Sequence, residues 1–106
     1  MPRADLNQIL VLCFEGDAAI DVHRDRGHAE SAMEALDLEE WTVYDGDGYR
    51  RALSPRADGA VTIGARVGDP DVNALRERLC AHLSWAQPGR RWESAPLEAL
   101  LKTAEG

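Results

Sequence analysis

Three histidines, two cysteines and a dense run of carboxylates are the residues of this chain whose types could do chemistry. Asp21 and His23 stand two apart, so on a strand they share a face and could chelate a metal, with His28 close behind. No Cys-x-x-Cys or His-Glu-x-x-His accompanies them, and alternating polar residues on an open strand face give the same pattern, so no metal is expected. Asp45-x-Asp47-Gly48 resembles the opening of a calcium loop. Tyr49 then stands where an oxygen ligand is needed and Arg50 where the loop needs glycine, which leaves a β-turn.

Nucleophilic catalysis needs a serine or cysteine poised beside a base, and Ser31, Ser54, Ser84 and Ser94 lack the strand-to-helix elbow that would expose one. Cys13 lies within an apolar run and Cys80 within a helical pattern, both as small buried hydrophobes, so neither a disulfide nor a reactive thiol is expected. The glycines fit turns and strands and form no phosphate cradle before a helix. No catalytic residue and no cofactor site are assigned, and the chain reads as non-enzymatic.

The carboxylates are distributed unevenly. Between Arg26 and Arg50 there is no Lys or Arg, while Glu30, Glu34, Asp37, Glu39, Glu40, Asp45 and Asp47 supply seven acids, equal to the whole formal net charge of −7. Elsewhere the charges balance. Trp41 and Tyr44 follow the densest part of the run, and acids beside aromatic anchors make a docking surface for a basic protein. Because Glu34, Asp37, Glu39 and Glu40 are expected at the C-terminal end of a helix, where the dipole already disfavours negative charge, they should cost stability there. A solvated acidic face kept for solubility is the bland alternative.

The elements that must position these residues follow from periodicity. Ile9 to Phe14 is apolar on both alternating faces, as in a central strand. Ala19 to His23 alternates, with Ile20 and Val22 opposite Asp21 and His23. Asp25 can cap a helix to about Asp37 whose stripe is Ala29, Ala32, Met33 and Leu36. Trp41 to Tyr44 and Tyr49 to Leu53 flank the Asp45-Gly46-Asp47-Gly48 hairpin turn, whose register several loops would satisfy. Val61 to Val67 is an amphipathic strand. Asp69 with Pro70 starts a second helix to about Trp85, with Val72, Leu75, Leu79, Leu83 and Ala86 as its stripe. Ser94-Ala95-Pro96 opens a short last helix carrying Leu97, Leu100 and Leu101.

The order ββαβββαα predicts one α+β domain over residues 1–106, with a largely antiparallel sheet and two main helices on one face. A first strand apolar on both sides needs a second cover, either Trp92 with the last helix or a second copy of the chain. Trp85 and Trp92 are expected to seal the core edge rather than to stack on nucleic acid.

A length of 106 residues with 44% hydrophobic and 29% charged residues suits one core. The acidic balance argues against nucleic acid and anionic membranes as partners. Met1 to Gln8 shows no apolar run after its basic residue, so no secretory leader is expected and the compartment is the reducing cytoplasm. Eleven of the twelve basic residues are arginine, a bias of high-GC coding.

In size, acidity, lack of catalytic motifs and the stretch Glu30 to Asp47, the chain resembles the small acidic immunity and antitoxin proteins of high-GC bacteria. That resemblance implies a non-enzymatic protein that neutralises a basic toxin domain by covering its active surface. Glu30, Glu34, Asp37, Glu39, Glu40, Trp41, Tyr44, Asp45 and Asp47 would face the partner. A homodimer with a small-molecule or catalytic site near Asp21 and His23 is the other reading.

Overall fold

A computed structural model describes residues 8–105. The reading of Met1 to Asn7 as lacking a leader lies outside the described residues. Five strands form one antiparallel sheet: β1 (Leu10–Phe14), β2 (Ile20–His23), β3 (Trp41–Asp45), β4 (Arg50–Pro55) and β5 (Val61–Val67), in the order β2-β1-β3-β4-β5. The first helix is α1 (Arg26–Ser31), followed by a 3-10 segment (Ala35–Glu40); α2 (Val72–Ala86) and α3 (Leu97–Glu105) complete the fold. The α+β class, the antiparallel sheet and the element order agree with the sequence, the 3-10 segment being the addition.

The alternation of β1 sets the layers. Val11 and Cys13 join Ile20, Tyr44, Leu75, Leu79, Leu83, Trp92, Leu100 and Leu101 in one core, built by α2 and α3. Leu10 and Leu12 join Ala29, Met33, Val43, Val61 and Ile63 in another, built by α1. The two helices expected together on one face therefore lie on opposite faces: the helix begun at Asp25 covers one, and α2 covers the other together with α3 and Trp92. Both sides of β1 are covered by this chain's own elements, so neither a second copy nor Trp92 with the last helix is the second cover.

Several local expectations are revised. Asp25 caps α1 by accepting from Gly27 N at 2.8 Å, but the helix stops at Ser31. Glu34 is extended, and Ala35 N donates to Gly59 O at 2.9 Å, tying the chain to the β4–β5 turn instead of continuing the helix. Ala29 and Met33 are buried as expected; Ala32 is exposed, and Leu36 is 91% exposed. In α2 the cap is Asp71, accepting from Ala74 N at 3.0 Å, rather than Asp69. Leu75, Leu79 and Leu83 are buried, whereas Val72 and Ala86 at the two ends of the expected stripe are exposed. Trp92 seals the core, but Trp85 stands 64% exposed.

The hairpin register open in the sequence is settled by pairing Tyr44 with Arg50. Gly48 takes φ +92°, a conformation that L side chains rarely adopt, and its carbonyl accepts from Asp71 N at 2.9 Å. A Cβ there would stand 2.9 Å from Val72 Cγ2. The hairpin tip is thus bonded to the start of α2.

Candidate functional site

The structure sorts the seven acids into two groups. Glu30, Asp45 and Asp47 are committed internally. Glu30 extends from α1 so that Oε2 accepts from Ile63 N at 2.8 Å on edge strand β5, with Arg56 3.8 Å from its other oxygen. Asp45 closes β3 and is 0% exposed. Its Oδ1 accepts from Asp47 N at 3.0 Å and Tyr49 N at 3.2 Å, which shapes the turn. Its Oδ2 accepts from Arg66 Nε at 2.7 Å and faces Arg51 Nη1 at 3.5 Å. Asp47 takes the other arm of Arg66 at 2.7 Å. A carboxylate so deeply buried is tolerated because two guanidinia neutralise it.

Glu34, Asp37, Glu39 and Glu40 behave differently. They lie in and beside the 3-10 segment, and among the described residues none of their side chains has a hydrogen-bond or ion-pair partner. Leu36 projects among them, and residues 35–40 line a shallow hollow of about 460 Å³. The expectation that these acids crowd the C-terminus of one long helix is not met, because α1 ends before them and the segment they occupy is short and kinked at Asp37. The dipole penalty assigned to them accordingly falls away.

Of the aromatic anchors, Trp41 borders the strip. It pairs with Phe14 across β1 and β3, the rings 5.0 Å apart and edge-on, which leaves the indole half-buried. Tyr44 does not take part: it is buried on the α2 and α3 side of the sheet, next to Val11. Glu30, Asp45 and Asp47 are likewise removed from the accessible set by their arginine partners or by burial. The residues brought together on the surface are Glu34, Asp37, Glu39, Glu40 and the edge of Trp41. Leu36 was missed because helical spacing assigned it to the core.

Elsewhere, Asp21 and His23 do lie on one face of β2, yet His28 is exposed 3.6 Å from Asp25. Among the described residues no three His, Cys, Asp or Glu side chains converge. His23 sits beside Leu10 in the β1–β2 register, and its buried Nε2 has no hydrogen-bond partner among the described residues. His82 is a structural acceptor: its Nδ1 receives Ile20 N at 3.2 Å, and burial lowers its pKa below the ordinary 6.5. Burial pushes the Cys13 thiol up to about 11 and raises that of Cys80 as well; both cysteines are free. A thiol raised this way stays protonated at neutral pH and is a poor nucleophile.

Comparison with protein-family models, curated proteins and solved structures finds no match to this chain. No helix among the described residues is long and apolar enough to cross a membrane.

Proposed function

We propose that this chain is a non-enzymatic binding protein of the immunity or antitoxin kind, which docks a basic protein domain on the strip from Glu34 to Trp41. The observation that carries the reading is Leu36, 91% exposed among four carboxylates that have no partner among the described residues. Stability does not explain this combination. An exposed leucine forgoes about 1.5–3 kcal/mol of burial, and like charges a few residues apart repel. A basic partner compensates both, covering the leucine and pairing the acids. The other acids of the run already have internal partners or hydrogen bonds, which leaves the strip as the local source of steering charge. The free thiols support a cytoplasmic, reducing location.

The test is charge reversal, read out against a basic toxin domain identified by its binding to the parent chain. In Glu39→Lys/Glu40→Lys the fold should be kept, with stability within about 0.5 kcal/mol of the parent, because neither side chain has an internal partner. Association should slow about tenfold at low salt and converge with the parent at high salt. Leu36→Asp should instead speed dissociation. If both variants bind at parental rates and protect cells equally well, the strip is only a solvated face.

A further inference from the structure

At the other end of β3 the described residues leave the α1 face of the sheet open, and four arginines gather there. Arg24 from the β2–α1 connection and Arg26 at the start of α1, with Arg51 of β4 and Arg66 of β5, line a cleft of about 440 Å³ together with Gln8 and Leu10. Glu105, Asp45 and Asp47 pair with three of the four, so the cleft keeps one positive charge in excess in a chain of net charge −7. The register explains its construction: Arg51 pairs with Arg66 across β4 and β5, while Leu10 pairs with Asp45 across β1 and β3.

Two features mark a built site rather than a chance cluster. Asp45 and Arg51 are almost wholly buried, at 0% and 11% side-chain exposure. Such a pair gives little net stability over apolar residues of similar size, so its effect is to hold groups in place. Asp45 takes Arg66 Nε at 2.7 Å, Asp47 takes Arg66 Nη2 at 2.7 Å, and Gly64 O takes Arg51 Nε at 2.7 Å. Both guanidinia are fixed, and the Arg66 guanidinium also lies 4.2 Å over the Tyr49 ring. The second feature is unused donors. Arg24 commits Nε to Glu105 at 2.6 Å, and Arg26 has no ion pair or side-chain hydrogen bond among the described residues. Each guanidinium carries five N–H donors, so much of the donor capacity around the cleft is unspent.

We propose that this cleft binds a small molecule through a phosphate group. A single carboxylate is satisfied by one or two guanidinia, as Asp45 is here. With Asp45, Asp47 and Glu105 already paired, what remains is the Arg26 guanidinium and the unspent donors of Arg24 and Arg51, and a phosphate or diphosphate offers the oxygens that such forks match in bidentate fashion. The volume lies in the range of small-molecule sites. The cleft and the acidic strip are separated by the length of β3, about 13 Å. The site therefore does not depend on the docking reading, and either can fail without the other.

The experiment is an amide NMR titration of the full chain with pyrophosphate, inorganic phosphate and succinate at matched ionic strength. Saturable shifts should appear with the two phosphates and cluster at Leu10, Arg24, Arg26, Arg51 and Arg66. Arg26→Ala removes a side chain that holds nothing else among the described residues, so the fold is retained and pyrophosphate affinity should drop about fivefold. Arg90→Ala, which alters an arginine stacked on Trp92 on the opposite side of the sheet, should leave affinity unchanged. Three results would overturn the proposal: no saturable binding, equal loss in both variants, or succinate binding as tightly as the phosphates.

Discussion

At the scale of single residues, the separation of Asp45 from its neighbours in sequence decides most of the electrostatics. Its carboxylate neutralises Arg51 and Arg66 and fixes two turn amides at once. Asp45→Ala leaves the buried Arg51 without a carboxylate, Arg66 with Asp47 alone and two amides unpaired, and should cost about 3–5 kcal/mol, a large share of the stability of a domain this size. Asp45→Asn keeps an oxygen for the amides and should lose less. Glu34→Ala should be nearly silent. Urea denaturation of the three variants ranks them, and an Asp45→Ala protein with a parental midpoint would show that the buried carboxylate holds nothing together. In the sequence all seven acids of this run look alike, since neither burial nor an arginine some twenty positions away is visible from composition. Charge counting locates the run; only the sheet register, which brings Arg66 onto Asp45, tells its working acids from its solvated ones.

At the scale of elements, what is legible and what is not divides along local and non-local causes. The strands follow period-two alternation, and α2 follows its Leu75, Leu79, Leu83 stripe, because each element buries a face its own sequence marks. The break after α1 leaves no such mark. Ala29, Ala32, Met33 and Leu36 satisfy helical spacing, yet the chain turns out at Glu34 to give Ala35 N to Gly59 O, a bond whose acceptor lies in a distant turn. The join between α2 and β2 is equally non-local, resting in part on His82 Nδ1 accepting from Ile20 N. It has a pH consequence. Burial lowers the folded pKa of His82 below 6.5, so on acidification the unfolded chain takes up a proton that the folded chain resists. This contribution is complete above about pH 6.5 and is lost as pH falls towards the folded value. Melting temperature followed from about pH 7 to 5.5 should decline less steeply in His82→Gln, whose amide oxygen can still accept. An unchanged slope would assign the acid sensitivity to other groups.

For the whole molecule, the distribution of cores makes the C-terminal segment from Trp92 onward part of the fold rather than an appendage. Trp92, Leu100 and Leu101 share one core with Val11, Cys13, Ile20 and Leu83, while the core beneath α1 is complete without them. Arg24 of the β2–α1 connection is bonded to Glu105 at the end of α3, which also places α3 against the wall of the arginine cleft. Removing residues 92–106 would strip Trp92 and α3 from one face of β1, exposing the part of the sheet that α2 alone cannot cover. α3 is too short to be stable by itself, so it exists only through this packing, and the sheet in turn requires it. The truncated chain should therefore lose its cooperative thermal transition and expose apolar surface to dyes. Leu100→Ala, a milder lesion in the same place, should fold but lose about 2–5 kcal/mol. A cooperative melt in the truncated chain would mean that the sheet with α1 is an autonomous unit, and that α3 was added to shape the cleft rather than to complete the core.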